Sequence, residues 1–98
     1  MAKFKKTDVA SRLKLLPGWD LRGGAIRRQL TFGGFADALA FVVRLGFEAE
    51  AADHHPDITV SYKRVTLIYV THSAGGLTTK DFSGAARASE LAAAMGGK

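Results

Sequence analysis

Three histidines carry the most specific chemical signal in this sequence. His54 and His55 are adjacent and lead directly into Pro56, and His72 follows in the same middle third of the chain. Because an unperturbed imidazole has a pKa of about 6.5, it can both give and take a proton at neutral pH. Two adjacent histidines before a proline make poor joint metal ligands, so we expect acid-base chemistry here rather than a metal site. Any one of these histidines alone would be interpreted as an ordinary loop or strand-end residue.

The residues after Pro56 predict a hairpin that would position these histidines. Residues 58–62 alternate apolar and polar side chains, which is typical of a half-buried strand. Residues 65–72 are β-branched and apolar on both faces, as expected for an interior strand or for one whose second face meets a partner. Between the two strands, the sequence predicts a turn at Lys63 and Arg64.

This hairpin would bring two of the histidines together. If Tyr62 pairs with Val65, the same register places His55 opposite His72, with their Cβ atoms about 5 Å apart. A four-residue loop with the same centre gives the same register, whereas a three-residue loop would shift it by one residue. We expect His54 to approach from a different direction, because neighbouring side chains of an extended chain point to opposite sides.

The N-terminal half predicts a helix, a hairpin and a second, longer helix. Thr7 or Asp8 would cap the first helix, and Pro17 would end it. Two short strands within residues 19–32 would be joined at a glycine pair. The strongest helical periodicity follows and predicts a helix over residues 34–52. The face predicted to lie inward consists of Phe35, Leu39, Val42, Val43, Gly46 and Glu50.

The C-terminal third predicts a last helix that begins at a capping box. Thr78 is followed three residues later by Asp81, which takes the place of the usual Glu. The inner face of this helix is predicted to consist of Phe82, Ala85, Ala86, Ser89 and Ala93. The order α-β-β-α-β-β-α predicts an α+β fold of two layers, with a four-stranded antiparallel sheet and helices packed on one face. We expect residues 1–98 to form a single domain of this kind.

Composition narrows the class of protein. The 98 residues carry a net charge of +5 and contain no cysteine, which excludes disulfides, thiolate metal ligands and cysteine nucleophiles. Residues 1–28 hold eight Lys and Arg against two Asp, but without interleaved aromatic residues we do not expect a nucleic acid partner. The longest apolar run has six residues, far short of the ~20 that span a bilayer, and no secretory signal is evident. We therefore expect a cytoplasmic protein without a membrane segment.

A set of segments has a combined spacing more specific than any single motif. The most specific part runs from the histidine pair to a Thr-His pair, and on to Gly-Leu-Thr and an aspartate. The segments are Glu50-Ala-Ala-Asp53-His54-His55-Pro56-Asp57, Tyr62-Lys63-Arg64-Val65, Thr71-His72, Gly75-Gly76-Leu77-Thr78 with Asp81, Pro17-Gly18-Trp19, and residues 32–41. Over nearly the whole chain, this pattern resembles the pterin-4a-carbinolamine dehydratase family.

The resemblance implies an enzyme that removes water from 4a-hydroxytetrahydropterin. The product would be the quinonoid dihydropterin that a reductase recycles after aromatic amino acid hydroxylation. The resemblance implies no metal or organic cofactor, a small-molecule pterin as partner, and assembly into a homodimer or homotetramer, with which the apolar Ile68 and Val70 are compatible. Some relatives have lost catalysis and serve as assembly factors or transcriptional co-factors; retention of all three histidines argues against this alternative.

The resemblance also suggests a role for each site residue. His54 and His72 would exchange protons with the hydroxyl and the ring, and His55 would bind and orient the pterin. Glu50 or Asp53 would set the histidine tautomers. The residues implied at the substrate site, beside the catalytic histidines, are Glu50, Asp53, Pro56 and Asp81.

Four positions qualify these roles. Pro56 would restrain the histidine before it to an extended conformation. Asp81 would be a helix cap at least as readily as a substrate contact. Ile58 stands where many family members carry an aromatic residue, so one wall of the pterin pocket would be aliphatic. Lys63 stands where an asparagine is frequent, which bears on the geometry of the turn.

Overall fold

Residues 2–98, which the computed structural model describes, form three α-helices and four β-strands in the predicted order. The elements are α1 (Lys6–Leu13), β1 (Asp20–Arg22), β2 (Ala25–Thr31), α2 (Phe35–Ala52), β3 (Asp57–Ser61), β4 (Arg64–Tyr69), a 3-10 turn (His72–Ala74) and α3 (Thr79–Ala94). None of the helices formed by these residues is long and apolar enough to cross a membrane.

The four strands form one antiparallel sheet in the order β1-β2-β4-β3. β4 therefore lies in the interior of the sheet, which confirms the prediction made from its apolar residues. Its side chains alternate between the core and the opposite face: Val65, Leu67 and Tyr69 are buried, whereas Thr66 and Ile68 are half-buried. The predicted α+β fold, with helices on one face of a four-stranded antiparallel sheet, is confirmed.

The hydrophobic core lies between this face of the sheet and the helices. Ile26 and Leu30 of β2 are fully buried, as are Phe41 of α2 and Ala85 of α3. Burial of each large apolar side chain stabilises the fold by roughly 1.5–3 kcal/mol. The core therefore holds α2 and α3 against the sheet, and the site described below lies where these two helices meet the end of β4.

The turn between β3 and β4 differs from the prediction. Ser61 pairs with Arg64, so the turn consists of Tyr62 and Lys63 rather than Lys63 and Arg64. Tyr62 adopts the left-handed conformation, with a φ of 53°, and this backbone geometry closes the two-residue turn one position earlier. Nothing in the spacing of apolar residues indicates that a tyrosine would take this conformation.

The earlier turn changes which residues of the two strands oppose one another. Asp57 pairs with Ile68, and the same register continued past the strand ends would place His55 beside Val70. The prediction that His55 lies directly opposite His72 is therefore wrong. Neither residue lies within a strand, because β3 begins at Asp57 and β4 ends at Tyr69.

The inward face of α2 also differs from the prediction. The residues buried against the core are Ala38, Phe41, Leu45 and Ala49. Of the residues predicted to lie inward, Val42 and Gly46 are half-buried, whereas Phe35, Leu39, Val43 and Glu50 are exposed. Both sets repeat at helical spacing, so periodicity alone does not choose between them. The exposed set leaves an apolar surface, here called the α2 stripe, of Phe35, Leu39, Val43 and Phe47.

The other predicted elements need smaller corrections. The first helix begins after Lys5, which makes no side-chain cap, so the predicted cap at Thr7 or Asp8 is wrong. α1 also ends at Leu13, before the proline. The hairpin of β1 and β2 is confirmed, and both glycines of its turn have positive φ. In α3, Phe82 and Ala85 are buried as predicted and Ala86 and Ser89 are half-buried, but Ala93 is exposed.

Candidate active site

The end of α2 determines the course of the histidine segment. Asp53 lies in the left-handed region, with φ 51° and ψ 40°, which aspartate tolerates better than most residues. Its N–H donates to the carbonyl of Glu50 at 3.2 Å, and the N–H of His54 donates to the carbonyl of Ala49 at 3.1 Å. These bonds end the helix and turn the chain toward β3, so the exposed Asp53 directs the backbone that carries His54 and His55.

His54 and Asp81 form a buried pair between the end of α2 and the start of α3. Nε2 of His54 lies 2.6 Å from Oδ1 of Asp81. The His54 side chain is 13% exposed and the Asp81 side chain is fully buried. A buried carboxylate requires hydrogen-bond donors in place of water, and His54 supplies one of them. The structure thus brings together two predicted site residues that lie far apart in sequence.

The second oxygen of Asp81 holds the start of α3. Oδ2 accepts from the Thr71 hydroxyl at 2.7 Å and from the Thr78 N–H at 2.9 Å. The two threonine hydroxyl oxygens are 2.9 Å apart, and that of Thr78 also accepts from the N–H of Lys80 at 3.3 Å. The predicted capping box is confirmed. Asp81 is therefore both the helix cap and the partner of His54.

Tyr69 lies against the other side of the His54 ring. The two rings are stacked, with centroids 6.0 Å apart and an interplanar angle of 23°. Burial, and then the negative charge of Asp81, raises the pKa of Tyr69 to about 12, so its phenol is neutral at pH 7. Sequence reasoning treated Tyr69 only as an apolar strand residue. Its position two residues before Thr71, on the same face of the chain, is the signal that could have identified it.

His55 pairs with Glu50 on the outside of the domain. Nε2 of His55 lies 2.5 Å from Oε1 of Glu50. The side chains of this pair are 54% and 78% exposed. Pro56, the next residue, is buried and restrains the backbone of His55. His55 is thus anchored through its backbone while its ring remains open to solvent.

His72 is exposed and begins the 3-10 turn, where its carbonyl accepts from the N–H of Gly75 at 3.0 Å. Because His54 and Thr71 bind the two oxygens of one carboxylate, the chain segments that carry the three histidines lie side by side. His55 and His72 directly follow these two residues. Within residues 2–98, no group of three or more acidic and imidazole side chains could hold a metal ion.

A cavity of about 270 Å³ opens beside His54, between α2 and α3. Leu45 and Ala49 of α2 form an apolar wall, and Lys80 and Ser83 of α3 contribute polar groups. A space of this size and mixed character is suited to a small organic molecule with several polar atoms. His54 lines this cavity, while its Nε2 contacts the buried carboxylate of Asp81.

Further contacts hold the walls of this cavity in place. Arg87 of α3 donates to Glu48 of α2 at 2.7 Å, and this hydrogen bond lowers the pKa of Glu48 and raises that of Arg87. Gly84 permits the close approach of Tyr69 to α3, because a Cβ atom there would lie 2.7 Å from Cε1 of the tyrosine. Sequence reasoning identified none of these wall residues, since they become neighbours only when α3 packs beside α2.

Comparison with known sequences identifies the family. Residues 2–91 match the family model described as Pterin 4 alpha carbinolamine dehydratase. A relative from Thermomicrobium roseum is 46% identical over 92 residues, which cover 94% of this chain and 99% of the relative. A relative from Roseiflexus castenholzii is 46% identical over 90 residues, with 92% and 97% covered. Both carry the provisional name pterin-4-alpha-carbinolamine dehydratase.

Solved structures agree with this fold. A Brucella melitensis protein described as a transcriptional coactivator/pterin dehydratase superposes with a TM-score of 0.88 at 32% identity, covering 92% of this chain and 98% of that one. A pterin dehydratase-like RuBisCO assembly factor of the alpha-carboxysome has a TM-score of 0.63 at 23% identity, with 76% and 86% covered, and shares the fold alone. By its sequence, this chain belongs to the pterin-4a-carbinolamine dehydratase family of hydro-lyases.

Proposed function

We propose that this protein dehydrates 4a-hydroxytetrahydropterin to quinonoid dihydropterin by histidine acid-base catalysis, as a step in tetrahydropterin recycling. The observation that carries the proposal is His54, which Asp81 holds at 2.6 Å and which borders a cavity of about 270 Å³. The proposed reaction uses no metal ion and no organic cofactor. An enzyme of this kind acts on a free small molecule, and we propose the cytoplasm as its compartment.

The reaction needs one acid and one base. The C4a–O bond breaks as the departing hydroxyl receives a proton and leaves as water. A base takes the proton from the neighbouring ring nitrogen, and the electron pair of that N–H bond becomes the new C=N bond. We assign these proton exchanges to His54 and His72, and the binding and orientation of the pterin to His55. Each positioned proton transfer contributes about 10²- to 10⁴-fold to the rate.

The predicted substrate-site residues support this assignment in different ways. Glu50 contacts His55 and would orient its ring toward the pterin. Asp53 turns the chain at the end of α2, and the buried Pro56 restrains the backbone that follows. Asp81 is fully buried and would act through His54 rather than by touching the substrate. The acidic residues of the site therefore serve mainly to position the imidazoles.

A rate assay on the purified protein tests the proposal. The wild type should accelerate dehydration of 4a-hydroxytetrahydropterin, and His54→Ala, His55→Ala and His72→Ala should each lose about 10²- to 10⁴-fold while the circular dichroism spectrum is unchanged. Lys14→Ala, at an exposed position, is the matched control and should keep full activity. A wild type that leaves the uncatalysed rate unchanged would overturn the proposal, as would full activity in all three histidine variants.

The α2 stripe favours a second candidate, a non-catalytic assembly factor or transcriptional co-factor on the same scaffold. Its four members have exposed fractions of 39% to 72%, which is unusual for large apolar side chains. A scaffold protein would need such a surface but would have no need of the buried His54–Asp81 pair. The same rate assay separates the two candidates, because a scaffold does not accelerate dehydration.

We also propose that a second copy of this chain covers the α2 stripe in a homodimer or homotetramer. Large apolar side chains recur every four residues along the stripe, so two copies related by a twofold axis present matching surfaces. Ile68 and Val70 are half-buried in the chain itself and are weaker candidates. Val43→Lys should reduce the assembly size measured by light scattering, whereas Ala10→Lys on exposed α1 should not. An unchanged size in Val43→Lys contradicts this interface.

A further inference from the structure

We propose that Asp81, oriented by the Thr71 hydroxyl, fixes His54 as its Nε2–H tautomer and so makes Nδ1 the nitrogen that exchanges a proton with the substrate. Thr71 and Asp81 are then positioning residues, since neither would touch the pterin. The proposal rests on the proposed function for its catalytic consequence. Its structural part concerns only where the protons of this hydrogen-bonded cluster lie.

The donors around Asp81 determine the proton position on His54. An aspartate carboxylate accepts hydrogen bonds and has none to donate. Its Oδ2 is occupied by the Thr78 N–H, which can only donate, and by the hydroxyl of Thr71. Its Oδ1 lies 2.6 Å from Nε2 of His54, so Nε2 must supply the hydrogen in this bond. A neutral His54 therefore carries its proton on Nε2 and its lone pair on Nδ1.

The threonine hydroxyls form a chain with one direction. Each hydroxyl has a single proton to donate. Because Thr71 gives its proton to Asp81, the hydroxyl of Thr78 must donate across the 2.9 Å contact to Thr71. Thr78 in turn accepts from the N–H of Lys80 at the start of α3. Hydrogen bonds that run in the same direction polarise one another, so this chain strengthens the hydrogen bond from Thr71 to Asp81.

Helix capping alone does not account for the whole cluster. A capping box requires a single carboxylate oxygen on the N-cap N–H, and Oδ2 of Asp81 fills that role. Oδ1 accepts the hydrogen bond from His54. The hydroxyl of Thr71 comes from outside the helix, from the segment that follows β4. Both side chains are buried, with Thr71 7% exposed and Asp81 fully buried, so water does not substitute for either partner.

Asp81→Asn tests the tautomer directly. The Thr78 N–H and the Thr71 hydroxyl require an acceptor, so the amide oxygen of the asparagine should take the Oδ2 position. The amide NH₂ then faces His54 and donates to Nε2, which forces the proton to Nδ1. Nitrogen-15 NMR of the labelled full-length chain should show Nε2–H in the wild type and Nδ1–H in Asp81→Asn. The dehydration rate should fall about 10²- to 10⁴-fold, as expected for a base held in the wrong tautomer.

Thr71→Val and Thr71→Ser form a matched pair that tests the hydroxyl. Valine keeps the shape and removes the donor, whereas serine keeps the donor. Thr71→Val should keep the Nε2–H tautomer, because the Asp81 carboxylate still only accepts, but it should lose roughly tenfold in rate because one donor that orients Asp81 is gone. Thr71→Ser should restore the rate. A Thr71→Val variant with the wild-type rate, or a Thr71→Ser variant that shares the loss of rate, would overturn the role assigned to the hydroxyl.

The possible results separate this inference from the proposed function. A wild-type His54 with its proton on Nδ1 would overturn the inference, as would an unchanged Nε2–H tautomer in Asp81→Asn. The NMR signature does not require turnover. If the wild type fails to dehydrate any pterin but the tautomer changes in Asp81→Asn, the positioning cluster stands and the proposed reaction fails.

Discussion

The two adjacent histidines at the end of α2 each place Nε2 against a carboxylate oxygen, at 2.6 Å for His54 and 2.5 Å for His55. The side chains of His54 and Asp81 are almost completely buried, whereas those of His55 and Glu50 are mostly exposed to solvent. An exposed ion pair contributes about 0–1 kcal/mol, while breaking a buried one costs about 3–5 kcal/mol. Two pairs with nearly the same distance therefore differ in how strongly the fold constrains them. The buried pair can hold a fixed proton arrangement, and the exposed pair leaves a ring free to meet a substrate.

Removal of the two carboxylates should give the largest contrast. Asp81→Ala leaves His54, the Thr71 hydroxyl and the Thr78 N–H without their acceptor, and the free energy of unfolding should fall by about 3–5 kcal/mol. Glu50→Ala, its counterpart in the exposed pair, should change it by less than about 1 kcal/mol. Urea denaturation measures both. Similar small losses in the two variants would show that the buried pair is not under the constraint described here.

Alkaline pH should destabilise the fold through Tyr69, which stacks on His54 of the buried pair. The pKa of Tyr69 is about 12 in the folded protein, against about 10 for an ordinary tyrosine. The folded chain holds this proton more tightly than the unfolded chain, so the associated stability is complete below about pH 10 and is lost as the pH rises toward 12. The expected loss is about 2–3 kcal/mol.

The chain contains two tyrosines, which allows a clean measurement of this effect. In Tyr62→Phe, the ultraviolet absorbance of tyrosinate reports on Tyr69 alone. The tyrosinate absorbance should rise near pH 12 while the chain is folded. A rise at lower pH should occur only if the chain unfolds at the same pH. Tyr69→Phe, the matched variant, should lack the alkaline decrease in stability. Ionisation near pH 10 in a chain that stays folded would contradict the prediction.

The smallest effect is expected from Glu50→Gln, which keeps the side-chain shape and removes the charge beside His55. Its unfolding free energy should differ from that of the wild type by no more than about 0.5 kcal/mol. Because the pair is exposed, the difference should shrink as salt shortens the Debye length from about 30 Å at 0.01 M to about 3 Å at 1 M. Urea midpoints at the two salt concentrations test this. A difference that persists at 1 M would place the exposed pair in the same class as the buried one.

The hairpin of β3 and β4 shows why the pairing register of two strands could not be predicted from the sequence. Alternation correctly predicts both strands, but the turn depends on the backbone of a single residue, Tyr62, whose φ of 53° is not encoded by apolar periodicity. The result is that Ser61 pairs with Arg64, and the expected His55–His72 pair is lost.

The two faces of α2 show the same limitation in a helix. Phe41 and Leu45 lie on one face and Leu39 and Val43 on another, and both faces satisfy the helical repeat. The sheet beneath the helix selects the first face. The second then remains exposed as the α2 stripe, whose existence periodicity alone did not predict.

The order of the elements, the α+β class, the family and the three candidate histidines all follow from the sequence by itself. These features depend on patterns within a few residues, such as strand alternation, the Thr78–Asp81 capping box and the spacing of the histidine motif. Only the tertiary structure decides that Asp81 meets His54, 27 residues away, and that Tyr69 stacks on its ring. The reason is that the contacts of His54 with Asp81 and Tyr69 form only when α2 and α3 pack beside each other on the sheet. Such packing is a property of the whole core rather than of any local segment.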